Sequence, residues 1–320
     1  MSVTLKELAE AAGVSIRSVT RALKNEPGGN QETTARIRAL AAEKGYIPNM
    51  AARNLRLQQN NVVGMILGHG EVSMTVRKVY AMQRQLEREG YYPISALVPE
   101  SAEELRAILK NWLGLVETVV FNAWNCDWKV DEVLQGLPLR PVFVDVIGKG
   151  RGVKIAEVAI DREAGIRDGI THLIRSGRRR VVQCGSRMPD RLQGFASALR
   201  QCGMDPAGSP LIETENLNHE DGYRAAPQII GKCDAVFFHT DRMALGFLKY
   251  CYEHGVKVPG EVAVVGFDDE PADEYACPGL SSVAQPVEEM AERVMELVRP
   301  GGFKPGKTVF ATKFIPRESV

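Results

Sequence analysis

From Asn61 to the last residue of the 320-residue chain, short continuous apolar runs alternate with amphipathic stretches. No other feature narrows the fold as far. The runs lie at 62–67, 94–98, 118–121, 142–146, 158–160, 180–184, 235–238 and 262–267. The amphipathic stretches lie at 74–89, 102–112, 163–176, 191–201, 219–230, 243–254 and 288–298. A strand with no polar side is buried on both faces, so the pattern predicts an α/β body of parallel sheets covered by helices. Such sheets bind ligands at the carboxyl ends of their strands. Polar and aromatic residues stand at those ends. Asn122, Trp124 and Trp128 follow one strand, Asp145 closes the next, and Arg191 comes shortly after Gly185 and Ser186. Thr240 and Asp241 follow a fourth strand, and Asp268 and Asp269 a fifth.

The first sixty residues obey a different period. Thr4 stands in N-cap position with Glu7 three residues on, a capping box, and Leu5, Leu8, Ala9 and Ala12 follow at helical spacing. Gly13 ends this helix, and Ser15 can cap a second whose Val19, Ala22 and Leu23 face inward. A third helix is predicted over 33–44, burying Ile37, Leu40 and Ala41 and ending at Gly45. The spacing Ala9, Gly13, Val19 is that of a helix-turn-helix: a small residue for close approach, a glycine for the left-handed turn, a valine to plug the angle. Ile16, Arg17, Thr20 and Arg21 then point outward from the second helix. Arginine there suits a DNA major groove, because it can grip guanine O6 and N7 together. The charge distribution agrees. Forty Lys and Arg balance forty Asp and Glu overall, but residues 1–60 hold nine basic against five acidic side chains. A basic head on a mildly acidic body suggests a separate anion-binding module.

Other function classes lack their residues. No G-x-G-x-x-G follows the first strand, and G-x-S-x-G does not occur. The histidines at 69, 172, 219, 239 and 254 show no metal spacing. The six cysteines form no C-x-x-C, which argues against zinc or a disulfide framework and for a reducing compartment. No apolar run approaches the roughly 18 residues of a membrane helix, and the N-terminus carries no apolar signal segment. The expectation is a cytoplasmic protein with no metal, no cofactor, no membrane contact and no enzymatic reaction.

Residues 4–23 (TLKELAEAAGVSIRSVTRAL) and 33–55 (TTARIRALAAEKGYIPNMAARNL) closely resemble the DNA-binding head of the lac-repressor (LacI/GalR) family. In the body, DREAG (161–165), RLQGF (191–195), DRMALG (241–246) and VVGFDD (264–269) resemble the same family, with a weaker match over 70–155. The loop 27–31 departs from it: a Val-Ser pair is usual there, and here Asn30 or Gln31 is left to cap the third helix. Thr240 departs from the Asn common in sugar-responsive members.

The resemblance implies a helix-turn-helix head over 1–48, a hinge helix and linker over 49–60, and a two-lobed periplasmic-binding-protein-like body over 61–320. Its N-lobe would comprise about 61–159 and 286–312, its C-lobe about 160–285, joined by three crossovers. DNA contacts are implied for Thr4, Ser15, Ile16, Arg17, Thr20, Arg21, Tyr46, Asn49, Ala52, Leu55 and Arg56. Leu55 would wedge into the minor groove; the plainer reading makes it part of a linker. Effector contacts are expected from Arg191, Asp268, Asp241 and Asn122, with Trp124 and Trp128 stacking on the ligand or packing at an interface. Asp241 equally suits a helix cap, and Asp269 a turn. The protein so described is a transcription regulator, a repressor, binding a pseudo-palindromic double-stranded operator as a homodimer. A small-molecule effector, a sugar or sugar derivative, controls it. The alternatives are a solute-binding transport component with the same body and a purine-type corepressor in place of the sugar.

Overall fold

The computed structural model describes residues 3–23, 30–46, 61–68, 73–122, 130–146 and 154–320. The chain divides into two compact units, Met1–Asn60 and Asn61–Val320.

The first unit contains α1 (Leu5–Ala12), α2 (Ile16–Leu23) and α3 (Gln31–Glu43). The Thr4 hydroxyl accepts the Glu7 N–H while the Glu7 carboxylate accepts the Thr4 N–H, the reciprocal cap predicted from the sequence. Gly13 ends α1 at φ 63°, where an L side chain would be strained. Ser15 accepts the Ser18 N–H at the start of α2. Of the two candidates for capping α3 it is Asn30, whose side-chain oxygen accepts the Glu32 N–H at 2.9 Å. Leu8, Ala9, Val19, Ala22, Ile37 and Ala41 form the small core. Two arginines of α3 reach the carboxyl ends of its neighbours: Arg36 donates to the Ala12 carbonyl and Arg38 to that of Ala22. Cations at helix C-termini complement the helix dipole and the carbonyls left unpaired there.

The second unit is built on two parallel sheets. The larger comprises β1 (Val62–Leu67), β2 (Tyr92–Leu97), β3 (Thr118–Asn122), β4 (Arg140–Val144), β5 (Ala156–Asp161) and β11 (Gly306–Ala311), in the order β11-β5-β4-β3-β1-β2. Around it lie α4 (Ser73–Arg88), α5 (Ala102–Asn111), α6 (Val130–Leu134) and α11 (Val287–Val298). The smaller sheet comprises β6 (Val181–Gly185), β7 (Leu211–Glu213), β8 (Ala235–Phe238) and β9 (Ala263–Val265), in the order β7-β6-β8-β9. Its helices are α7 (Arg162–Arg175), α8 (Pro189–Gln201), α9 (His219–Ile229) and α10 (Asp241–Glu253). Each of β3, β6 and β8 is buried at every residue, which is why these segments read as unbroken apolar runs. A short antiparallel pair, β10 (Ser282–Ala284) with β12 (Lys313–Ile315), completes the fold. The sequence pattern did not announce β7, β10, β11 or β12. Three of them have only three residues, and β11 has exposed positions along most of its length.

The chain passes between lobes three times: from β5 into α7, from β10 into α11, and from β11 into β12. Thr312 joins two of these passages, its hydroxyl donating to the Asp161 carbonyl and accepting the Gly165 N–H, both at 2.9 Å. A Cβ on Gly165 would lie 2.4 Å from Val283 Cγ1 and 2.6 Å from Thr312 Oγ1. The glycine of the DREAG motif is therefore where all three crossovers close on one another.

Candidate functional site

In each sheet the strand order reverses at one point, at β1/β3 in the first and β6/β8 in the second. The carboxyl ends of such strands leave a crevice in which side chains from several elements converge. From the N-lobe come Asn122, ending β3, Asp145, just after β4, and Lys78 of α4, all buried. From the C-lobe come Arg162, first residue of α7, Arg191 in the first turn of α8, and Asp268, with Gln285 from the crossover.

Asp145 is the electrostatic centre of the N-lobe side. Lys78 Nζ lies 2.5 Å from one of its oxygens, and Arg162 Nη2 lies 2.6 and 2.8 Å from both. Burial works to raise the Asp145 pKa, but Lys78 and Arg162 more than offset it and hold the carboxyl below the ordinary range. Burial pulls Lys78 down, with Asp145 opposing. Arg162 Nε also stands 3.2 Å from Asp190, an ion contact whose hydrogen-bond alignment is poor. Arg77, next to Lys78, donates to the Asp269 carbonyl at 2.6 Å, so α4 touches the C-lobe beside the residue that holds Asp145.

On the C-lobe side, Arg191 is 3 % exposed and its guanidinium lies over the Phe267 ring at 4.5 Å. Its Nε has no hydrogen-bond partner. Asp268 holds φ at 124°, unusual for a residue with a side chain, and accepts the Gln285 amide at 2.6 Å. Burial pushes its carboxyl up to about 6 against the opposing fields of Arg191 and Lys78. The Asn122 amide donates to the Val144 carbonyl, leaving its own buried oxygen without a donor; Gln285 Oε1 is left in the same state. Arg191 Nε, Asn122 Oδ1 and Gln285 Oε1 are thus a buried donor and two buried acceptors around one cleft. Groups of this kind are costly to bury unless something satisfies them.

Of the effector residues predicted from sequence, Arg191, Asp268 and Asn122 therefore meet at the cleft. Asp241 does not join them. It is fully buried, one oxygen accepting the Ser282 hydroxyl at 2.5 Å and the other the Glu270 N–H at 3.0 Å. It ties the loop after Asp268 to the crossover strand, a structural task in place of the predicted contact. Nor is it the cap of α10: the Thr240 hydroxyl accepts the Met243 N–H and donates to the Leu217 carbonyl, and Asp241 is the first helical residue. The Asp269 carboxylate pairs with Arg317 at 2.7 Å and belongs to the turn. Trp124 and Trp128 lie outside the described residues. Lys78, Arg162 and Gln285 were missed as site residues. Arg162 shares the strand-end signal of its neighbours, whereas Lys78, in mid-helix, and Gln285, in a crossover, carry none.

In the head, Ile16 and Arg17 are exposed and Thr20 and Arg21 half-buried along one side of α2, opposite Val19 and Ala22. Thr4 and Ser15 stand at the N-termini of α1 and α2, where backbone N–H groups favour a phosphate. Tyr46 packs against the head core. Asn49, Ala52, Leu55 and Arg56 lie outside the described residues.

A helix-turn-helix head with an outward arginine-bearing face, joined to a two-lobed body with a polar interlobe cleft, defines a ligand-responsive DNA-binding protein. Residues 4–49 match the family model of bacterial regulatory proteins of the lacI family, and residues 170–320 that of a periplasmic binding protein-like domain. The chain belongs to the lacI family and is an effector-controlled DNA-binding transcriptional regulator, not an enzyme. It is 29% identical over 335 residues to the HTH-type transcriptional regulator AscG of Escherichia coli K12, covering 99% of this chain and 98% of that protein. It is 27% identical over 338 residues to CelR of Thermobifida fusca, covering 99% and 98%. Its fold matches the lac repressor dimer bound to operator and the anti-inducer ONPF with a TM-score of 0.82, at 22% identity and over 100% and 99% of the two chains. Among the described residues, no helix is long and apolar enough to cross a membrane.

Proposed function

We propose that the protein is a cytoplasmic repressor that binds a pseudo-palindromic operator as a homodimer and responds to a hydroxylated small molecule, a sugar or sugar derivative, held between its lobes. The observation that carries this reading is the set of unsatisfied buried atoms contributed from both sides of the cleft: Arg191 Nε, Asn122 Oδ1 and Gln285 Oε1. Vicinal hydroxyls donate and accept at once, so a polyol can answer an arginine, a carboxylate and two amide oxygens together. Arg191 is the anchoring donor and Asp268 the anchoring acceptor. Two relatives support the reading by what they hold. A lac repressor structure contains operator and an anti-inducer, and a CelR structure is a cellobiose complex. The head also removes the reason to read the body as a transport component.

Arg17 and Arg21 are assigned to base edges, Thr4 and Ser15 to phosphates, and Leu55 to the minor groove. The effector shifts DNA binding by its unequal affinity for two lobe arrangements, and the operator must then alter effector affinity by the same factor. The test is a mobility shift on the native operator with a panel of sugars, sugar derivatives and purines. A hydroxylated compound should change operator affinity in wild type and lose that effect in Arg191→Ala. A purine as the active compound would overturn the sugar assignment, and a response retained in both Arg191→Ala and Asp268→Ala would overturn the site.

A further inference from the structure

Residues two apart on a strand share a face, so Val181, Gln183 and Gly185 of β6, with Ala235 and Phe237 of β8 and His239 just beyond it, look toward α7 and α8. The layer is apolar apart from Gln183 and His239. Both are buried, and their side chains meet, His239 Nε2 lying 3.2 Å from Gln183 Oε1. Above them α8 sets Phe195 against Phe237, ring centroids 6.1 Å apart. Arg191 comes one turn earlier on the helix and His239 two residues later on the strand. Helix and strand run in opposite directions, so Arg191 stands toward His239 as Phe195 stands toward Phe237. The field of Arg191 accordingly reaches the imidazole. Burial pushes that imidazole down to about 3, with the Arg191 field acting the same way and the Ser186 backbone opposing. The ring is neutral, and it can lie near a buried guanidinium where a second cation could not.

His239 also takes the room that a side chain at 185 would need. A Cβ on Gly185 would lie 2.3 Å from His239 Cγ and 2.4 Å from its Nδ1, so the glycine backbone rests directly against the ring. Three residues then lead from Gly185 to the start of α8 at Pro189. The N-cap residue Met188 supplies no side-chain acceptor, and its own N–H turns back to the Ser186 carbonyl at 2.8 Å. Asp190 accepts the Arg191 N–H and stands beside Arg162, which ties this turn to α7. Its tie to the sheet is the contact of Gly185 with His239.

We infer that His239 is a positioning residue of the effector site: its ring, seated where a side chain at 185 would lie, fixes the loop 185–188 and thereby the place of Arg191. The inference rests on Arg191 being the anchor of the effector, and it adds a residue that acts through that anchor without touching the ligand. The Gln183 bond keeps the ring from turning, and Gly185 lets the backbone close on it. Loop and guanidinium are then set before a ligand arrives, so less of the binding energy is spent on ordering them.

Hydrogen exchange of the full-length protein without ligand, followed by mass spectrometry, is the first test. In His239→Ala the amides of residues 186–192 should exchange at least about tenfold faster than in wild type, with those of β8 and α10 unchanged. Unchanged exchange over 186–192 overturns the inference. Equal acceleration across the whole C-lobe also overturns it, since His239 would then only support the core. The second test is calorimetric titration with D-glucose, D-galactose, D-ribose and cellobiose. A sugar that binds the wild type should lose about tenfold or more in affinity in His239→Ala. Combining Arg191→Ala with His239→Ala should cost no more than Arg191→Ala alone, because the two act as a unit. Losses that add would mean that His239 acts on the ligand independently of Arg191, which overturns the positioning role. His239→Phe keeps a ring on Gly185 and should recover most of the affinity; recovered stability without recovered affinity overturns that role as well. If His239→Ala does not fold, His239→Asn, which keeps a polar group for Gln183 but has no ring to set on Gly185, carries the same expectations. If none of the four sugars binds the wild type, the exchange result decides the inference alone, and the failure lies with the sugar assignment.

Discussion

Nη2 of Arg162, the first residue of α7 in the C-lobe, lies 2.6 and 2.8 Å from the two carboxylate oxygens of Asp145, which stands at the end of an N-lobe strand. With Lys78 on the same carboxylate, the pair joins the lobes across the floor of the cleft in which the effector is proposed to bind. A ligand that competes for these groups would alter the lobe arrangement by the same contacts that hold it in place.

Breaking this bridge from one side leaves a buried charge without its partner. Arg162→Gln should therefore cost about 3–5 kcal/mol of folding stability. Urea unfolding measures it. A loss below about 1 kcal/mol would mean that Lys78 alone satisfies Asp145.

Gly165 should tolerate no side chain. A Cβ there would overlap Val283 and Thr312, both held by the crossovers. Gly165→Ala should destabilise by about 1–3 kcal/mol through overpacking, and it should change the effector's influence on operator binding more than operator binding itself. An alanine variant with wild-type stability and response would remove the crossover packing from the mechanism.

Effector affinity should depend on pH through Asp268, whose carboxyl is pushed up to about 6 by burial. Accepting hydroxyls from the ligand requires the ionised form. Binding should weaken as pH falls through about 6, and Asp268→Asn should flatten this part of the profile. A wild-type affinity constant from about pH 7 to about pH 5 would contradict the assignment of Asp268 as acceptor.

A second titration concerns stability. Both Asp273 oxygens are buried without a donor, and the neighbouring group is the Asp241 carboxyl, so the two stay together by sharing a proton. Burial raises Asp273 to about 7. A raised carboxyl pKa favours folding fully below the ordinary carboxylate range, and that contribution is lost as pH rises through the folded value. Asp273→Asn should thus gain on wild type by about 1–3 kcal/mol between about pH 5 and about pH 8. Parallel stability profiles for the two proteins would rule out the shared proton.

In the head, Arg21→Ala should cost about 1–3 kcal/mol on the operator and leave binding to random DNA nearly unchanged. Equal losses on both would assign Arg21 to phosphate alone.

The head and the sheet architecture were legible from local rules. A capping box, a left-handed glycine and a three-residue packing signature act over a few residues, so Thr4, Gly13 and Val19 specify their turn wherever they occur. Strands buried on both faces have no polar positions, so β3, β6 and β8 announced themselves as apolar runs. Strand-end polarity then located Asn122, Asp145, Arg191 and Asp268, because parallel topology brings those ends together. The sequence could not say how these groups divide their hydrogen bonds. Asp241 and Asp268 are both acidic and both follow strands, yet one holds Ser282 and the Glu270 N–H while the other lies beside Arg191 and Lys78. Lys78 lies 67 residues from its acceptor. Its burial depends on α4 packing against α11 and β2, which brings it to Asp145, and Gln285 reaches Asp268 only because a crossover passes there. Pairings between distant segments are decided by packing, and for such residues only the tertiary structure separates a cleft group from a structural tie.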